Sequence, residues 1–246
     1  MQFHEFGKDR DRIIVLLHGG GLSWWNYREA AKLLEEDYHV ILPVLDGHAG
    51  SDRPFTTIED NAAEIISWMD GHCGGSVLLL GGLSLGAQIV LEMLSQKPDV
   101  CRHALVESAA AIPSGLTNAL IGPAFGSSYA LIRKKGFSRL QFRSLHIKEE
   151  LFEDYYRDTC LIKKEDMISF MKANTSYSLK ETLKDVCAKV HVFYGSREVR
   201  RIRQSARMIG EKIPGSTVRC LDGFRHGDFS LNHAAVYAAE MRNITN

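Results

Sequence analysis

Short apolar, β-branched runs alternate with longer segments of helical period along most of this chain, and few folds accommodate that rhythm. The runs are Ile13–Leu17, Val40–Val44, Val77–Leu80, Ala104–Val106, Val190–Tyr194 and Val218–Leu221. Several are apolar almost without interruption, as strands covered on both faces must be. Between them lie helical patterns at Trp25–Glu36, Ile58–Met69, Leu85–Ser95, Ile202–Lys212 and His226–Met241. In Leu85–Ser95, for example, Ile89, Val90 and Met93 recur on one helix face. The pattern predicts an α/β fold: a mostly parallel central sheet with helices on both faces. The stretch before Ile13 leaves room for one further strand. A chain of 246 residues suits one such unit, since α/β domains reach about 250 residues.

The alternation fails between Ala111 and Val186, which hold no convincing strand. Structureless connections beyond about 12–15 residues are uncommon, and this segment is amphipathic. Leu151, Phe152, Tyr155 and Tyr156 recur at helical spacing, as do Met167, Ile168, Phe170 and Met171. The expected organisation is a core of residues 1–110 and 187–246, with residues 111–186 inserted as a helical cap over one edge of the sheet. Those aromatics can pack the insertion onto the core or line a site beneath it.

Composition removes several function classes. The chain carries 30 basic and 30 acidic side chains, whereas general nucleic-acid binding draws on an excess of Lys and Arg. No apolar run approaches the roughly 20 residues that span a bilayer. The opening MQFHEFGKDRD is too charged for a secretory signal, so the expected compartment is the cytoplasm. Cys73, Cys101, Cys160, Cys187 and Cys220 are odd in number and never in C-x-x-C spacing, which predicts reduced thiols, mostly in the core, and no zinc site.

The chemistry concentrates at strand ends. Gly82-Leu83-Ser84-Leu85-Gly86 follows the apolar strand and opens the next helix. A serine on so tight a turn needs glycine or a very small residue on either side, and its hydroxyl projects above the sheet edge. His18-Gly19-Gly20-Gly21 ends the first strong strand. A glycine-rich bend there can aim a backbone N–H into the site. Together with the N–H of Leu85, at the positive end of its helix, it can hold an oxyanion, each donor being worth about 2.7–4 kcal/mol. A phosphate-binding turn is the competing reading, but neither G-x-G-x-x-G nor the P-loop pattern is present. His18 reads as a structural residue that fixes this loop.

A nucleophilic serine needs a base, and the base an orienting carboxylate. His226, in Gly223-Phe224-Arg225-His226 after the last strand, is the favoured base, with His48 in Asp46-Gly47-His48-Ala49-Gly50 as competitor. Glu198, in Gly195-Ser196-Arg197-Glu198, and Glu107, at the end of Ala104–Val106, can each supply the acid. Glu198 is favoured. The order is then Ser, acid, His, each at the carboxyl end of a strand, where open α/β sheets place their sites.

With these segments in place, IIVLLHGGGLSWW, LPVLDGHAGSDRP, LLLGGLSLGAQIVLEML, VFYGSRE and LDGFRH, the chain resembles the α/β-hydrolase superfamily from about Ile13 to Met241. The first segment looks like that family's strand, oxyanion loop and aromatic helix, and the second like its D-x-x-G-x-G-x-S loop. The resemblance implies Ser84 as nucleophile, Glu198 as acid, His226 as base, and Gly20 with Leu85 as oxyanion donors. It also implies a helical cap at Ala111–Val186 and no metal or organic cofactor. The chain departs from the pattern in three places. Glu198 stands where Asp is commoner, Val199 where Pro often follows, and Arg225 where a small residue usually precedes the histidine.

The expected activity is that of a serine hydrolase, carboxylesterase-like, on a small or medium acyl substrate and with no nucleic-acid partner. The same residues also serve thioesterases, lactonases, C–C hydrolases and perhydrolases, and a non-catalytic ligand-binding protein can share the fold. Substrate-binding residues and oligomeric state have no signature in the sequence. Finally, Arg197, Arg200, Arg201, Arg203 and Arg207 form a cluster, three of them on one helix face. It reads either as a solvated surface or as a receiver of phosphate or carboxylate, as in an acyl-coenzyme A or acyl-carrier thioester.

Overall fold

A computed structural model describes the backbone of residues 1–246 and every side chain except that of Ser127. Seven strands form one sheet in the order β1-β3-β2-β4-β5-β6-β7. They are β1 (Gln2–Phe6), β2 (Ile13–Leu17), β3 (His39–Val44), β4 (Val77–Leu83), β5 (Cys101–Glu107), β6 (Lys189–Gly195) and β7 (Thr217–Leu221). β1 runs antiparallel to β3, and every other pairing is parallel. The expected α/β fold is therefore observed, and the room before Ile13 is filled by β1.

Side-chain alternation divides the apolar residues between two cores. Val15, Leu17, Ile41, Val106 and Val192 face one side, covered by α2 (Ile58–His72), α3 (Leu85–Gln96) and α8 (Arg200–Lys212). Ile14, Leu16, Leu42, Leu105 and Phe193 face the other, covered by α1 (Arg28–Leu34), α9 (Asp228–Asn232) and α10 (Ala234–Thr245). Burial on both sides is why the central strands read as unbroken apolar runs. β7, at the edge, is different: Val218 is 39% exposed.

Between β5 and β6 lie α4 (Gly115–Ile132), α5 (Lys135–Ser144), α6 (Phe152–Leu161) and α7 (Lys164–Ser176). They sit above the carboxyl ends of the strands. Asp166 on α7 accepts from Phe55 N–H at 2.9 Å, and Asn174 exchanges hydrogen bonds with Gln88 of α3. At the opposite margin Trp25 Nε1 donates to Asp158 of α6 at 2.8 Å, and Arg28 pairs with Asp154. Among the described residues no helix is long and apolar enough to cross a membrane.

Three expectations are corrected. The helical pattern at Trp25–Glu36 begins as a 3₁₀ turn at Trp24–Tyr27 before α1. The pattern at His226–Met241 is broken: His226 lies in a loop, Gly227 adopts φ +74°, and His233 separates α9 from α10. A left-handed glycine cannot continue an α-helix, so the periodicity outran the element. The cysteines are free, but they are not mostly core: Cys101 is buried, Cys73 and Cys160 are half-buried, and Cys187 and Cys220 are exposed. Cys220 lies on the exposed edge strand and Cys187 on the connection entering β6.

Candidate active site

β4 turns into α3 within a single residue, Ser84, which is held at φ +53° and ψ −109°. Positive φ is costly for a residue with a Cβ and persists where neighbours over-determine it. Here Ser84 N–H donates to Glu107 C=O at 2.9 Å, and Gln88 N–H returns to Ser84 C=O at 3.0 Å. Both flanking glycines are sterically required. A Cβ on Gly82 would lie 2.4 Å from the Gly86 carbonyl carbon, and one on Gly86 only 2.1 Å from the Leu17 carbonyl oxygen. Because the obstacle is backbone at the end of β2, it cannot rotate away. Gly86→Ala is therefore expected to destabilise the protein by about 3 kcal/mol or more, read as a fall in the urea midpoint. An unchanged midpoint would contradict this packing.

The loops after β6 and β7 are sewn together. Ser196 N–H donates to Leu221 C=O at 2.9 Å and Arg197 N–H to Phe224 C=O at 3.0 Å. This brings His226 Nδ1 to 2.8 Å from Glu198 Oε2. The other carboxylate oxygen, Oε1, accepts from Ser108 Oγ at 2.7 Å and from Gly195 N–H at 2.9 Å. Burial alone would raise the Glu198 pKa, but the bonds from His226, Gly195 and Ser108 hold it below the ordinary value. The Glu198 side chain is fully enclosed, whereas His226 is 48% exposed. The longer acid is thus accommodated with both oxygens satisfied. Val199 sits at φ −61°, the angle a proline would impose, so its replacement of proline leaves the turn intact.

Glu107 does not reach His226. It is buried behind the site, with Oε1 accepting from Ser230 N–H at 3.3 Å. Burial pushes its pKa from 4.5 up to about 7, against the lowering effect of the Ser230 hydrogen bonds. The folded protein therefore keeps this proton across a pH range in which the unfolded chain gives it up. Stability falls as pH rises from 4.5 to 7, and the loss is complete above 7. Glu107→Gln keeps a neutral side chain there. Its stability relative to the parent is expected to improve by on the order of 3 kcal/mol between pH 4 and pH 8, measured by urea unfolding. A difference that does not vary with pH would contradict the assignment.

The glycine-rich loop after β2 is braced by two buried histidines. His48 Nε2 accepts from Gly21 N–H at 3.0 Å while its Nδ1 donates to Asp46 C=O at 3.0 Å. His18 Nε2 accepts from Leu45 N–H at 3.1 Å and its Nδ1 donates to Gly19 C=O at 2.9 Å. Burial lowers both pKa values, that of His48 to about 4, which keeps the accepting nitrogens free of protons. His48 also stacks on Phe170. It thus braces the loop and backs Phe170, with neither ring nitrogen left to serve a serine.

Gly19 N–H is taken by Asn26 Oδ1 at 3.3 Å, and Gly21 N–H by His48. Between them the amide of Gly20 has no hydrogen-bond partner among the described residues. Leu85 opens α3, and first-turn amides have no intrahelical acceptor. The two residues adjoin: a Cβ on Gly20 would lie 3.5 Å from Leu85 Cδ2. A pair of unengaged N–H groups beside a serine can stabilise a developing oxyanion.

Two cavities meet at Ser84 and His226. One, of about 280 Å³, is walled by Phe125, Ile132, Tyr155, Met167, Phe170 and Met171. The other, of about 220 Å³, is bordered by Ser144, His146, Ile147, Arg225 and Leu231. Gly20, Leu22 and Leu145 border both. Among the described residues no hydrogen bond joins Ser84 to His226; in substrate-free enzymes that contact is often long and tightens on binding.

Ser84, His226, Glu198, Gly20 and Leu85 are therefore gathered at one place, and Glu107 and His48 are not partners of His226. Of the large side chains at helical spacing in residues 111–186, Phe152 is core, while Tyr155, Met167, Phe170 and Met171 line the cavity. Sequence reasoning missed Ser108, which follows Glu107 at φ +57°, and Asn26. Neither sits in a recognisable pattern, and only the fold brings them to the site.

The profile described as the Alpha/beta hydrolase family matches residues 14–237. Among solved structures, the chain is similar to the enol-lactonase from Burkholderia xenovorans LB400, with TM-score 0.83 and 16% identity over 99% of this chain and 95% of that one. It is also similar to an esterase from Exiguobacterium antarcticum, with TM-score 0.82 and 18% identity over 99% and 94% of the two chains. A thermophilic esterase from Thermogutta terrifontis gives TM-score 0.79 and 16% identity over 100% and 94%. At these identities the likeness speaks to the fold.

Proposed function

The chain belongs to the alpha/beta hydrolase family, and from that premise we propose that it is a serine hydrolase of carboxylic esters, with Ser84 as nucleophile, His226 as base and Glu198 as the orienting acid. The observation that carries the reading is the enclosed Glu198 carboxylate 2.8 Å from Nδ1 of His226, a histidine that borders both cavities together with Ser84.

The geometry supports the following steps. Glu198 accepts the Nδ1 proton of His226 in a hydrogen bond, which leaves Nε2 free to take the Ser84 hydroxyl proton as Oγ bonds to the substrate carbonyl carbon. The carbonyl oxygen, now negative, is held by the Gly20 and Leu85 N–H groups. His226 returns the proton to the departing alcohol oxygen as the carbon–oxygen bond breaks. Water then attacks the acyl-enzyme, giving its proton to Nε2, and Ser84 leaves with that proton. Residues 111–186 act as a cap: α4, α6 and α7 supply the apolar wall that receives the acyl chain and excludes water from it.

The test is the hydrolysis of p-nitrophenyl esters of increasing chain length by the parent and by Glu198→Gln. The amide can donate to Nδ1 and hold the wrong tautomer, so kcat is expected to fall by roughly 10⁴ with folding retained. A Glu198→Gln variant with near-parent kcat would remove the acid from this reading.

A further inference from the structure

Two cavities open on Ser84, and a cluster of arginines without ion pairs begins beside one of them. The cavity beneath α4 and α7 has no Asp, Glu, Lys or Arg in its wall. It suits an acyl chain. The other is bordered by Arg225, one residue before the proposed base, which puts a guanidinium beside any group held there.

Arg225 is not isolated. Arg197 N–H is bonded to Phe224 C=O, and a Cβ on Gly195 would lie 3.1 Å from Arg225 N. The arginine-bearing segment after β6 therefore abuts the His226 loop. Arg200 begins α8, whose Ile202, Ser205, Ala206 and Ile209 are buried, while Arg203 and Arg207 are exposed and follow Arg200 on one face.

Among the described residues Arg197, Arg200, Arg201, Arg203, Arg207 and Arg225 form no salt bridge. By contrast, Arg28, Arg53, Arg157, Arg219 and Arg242 each meet a carboxylate. Three nearby acids accept hydrogen bonds from other groups. Glu198 is held by His226, Ser108 and Gly195; Asp222 accepts from Ser196; Asp228 accepts from Arg225 N–H and Asn232 Nδ2. Arg10, Arg12, Arg102 and Arg133 also form no salt bridge among the described residues, but they are scattered, whereas five of the six arginines here fall within residues 197–207. Guanidinium forks match phosphate oxygens in pairs.

We propose that the preferred substrate is an acyl thioester whose thiol carries phosphate, and that Arg225 and the arginines of residues 197–207 receive those phosphates. The proposal rests on the serine-hydrolase reading above. Ser84 Oγ bonds to the carbonyl carbon, the carbon–sulfur bond breaks, and the thiolate takes the proton from His226. Water then releases the acid and restores Ser84. Butyryl-coenzyme A is the phosphate-bearing probe and butyryl-N-acetylcysteamine the neutral thioester of equal acyl length, with p-nitrophenyl butyrate as a reporter of the nucleophile.

The ratio of kcat/KM for the coenzyme A thioester to that for the neutral thioester is expected to be at least about tenfold at low salt. It should fall several-fold between 20 mM and 300 mM NaCl, as ion screening requires. In Arg200→Glu/Arg203→Glu the same ratio should drop by roughly tenfold. A ratio near one, insensitive to salt and to the double variant while p-nitrophenyl butyrate is hydrolysed, overturns the arginine proposal alone. No turnover of any of the three by folded protein overturns the serine-hydrolase reading beneath it.

Discussion

Ser84→Ala is expected to lower kcat for ester hydrolysis by on the order of 10⁶, with the urea midpoint close to that of the parent. The reasoning starts at the turn. Ser84 is locked at φ +53° between Gly82 and Gly86, so its Cβ direction does not depend on the hydroxyl. Alanine inherits the same backbone and loses only Oγ. Of the other aliphatic hydroxyls bordering the two cavities, Ser144 Oγ already donates to Gln141 C=O, and Thr159 is buried on α6, away from the turn that opens α3. What survives is the activity of two aligned amides and a binding cavity, roughly 10³–10⁴ above the reaction in water. A stopped assay with p-nitrophenyl butyrate measures this directly, and residual kcat above about 1% of the parent would mean that another group is the nucleophile.

His226→Ala is the second large effect, and its informative feature is non-additivity. Alone it is expected to cost about as much as Ser84→Ala, since a serine without its base does not lose its proton at neutral pH. The double variant Ser84→Ala/His226→Ala should be no worse than either single variant within about threefold, because both remove the same proton-transfer step. If the losses multiplied, the two residues would act independently, and the shared mechanism would be wrong. Removing the histidine also takes the donor from Glu198 Oε2, while Oε1 keeps Ser108 and Gly195. A stability loss of about 1–3 kcal/mol is expected for one hydrogen bond lost from a buried carboxylate, whereas Ser84→Ala should show none. Urea unfolding of the two single variants separates these contributions.

The central strands were legible because they are buried on both faces. Ile13–Leu17 and Val77–Leu80 carry no polar residue to interrupt them, and β2 and β4 lie in the middle of the sheet. The turn at Ser84 was equally legible, since its two glycines answer to backbone atoms within the same local unit, apart from the contact of Gly86 with β2. What could not be read depends on distant segments meeting. Glu107 and Glu198 both stand at strand ends, and the sequence favours Glu198 only because its loop directly precedes, strand for strand, the one that carries His226. Which of them lies beside His226 depends on Ser108, Gly195 and the stitching of Arg197 to Phe224, contacts between separate loops. The same holds for the cavity wall: Phe170 and Met171 share helical spacing with residues that pack the core, and only their position above Gly20 makes them wall. The last helix was overextended because Gly227 and His233 break the backbone without breaking the apolar period. The cysteines were misjudged for a related reason, as composition does not distinguish an edge strand from a central one.

These features bear on one claim, that Ser84 is an activated nucleophile. Its most direct test is intact-mass analysis after incubation with a fluorophosphonate, with the modified peptide sequenced and Ser84→Ala as control. The account predicts a single stoichiometric adduct on Ser84, absent from the variant and formed far more slowly in His226→Ala. Folded protein that acquires no adduct, or acquires one on another residue, would contradict it.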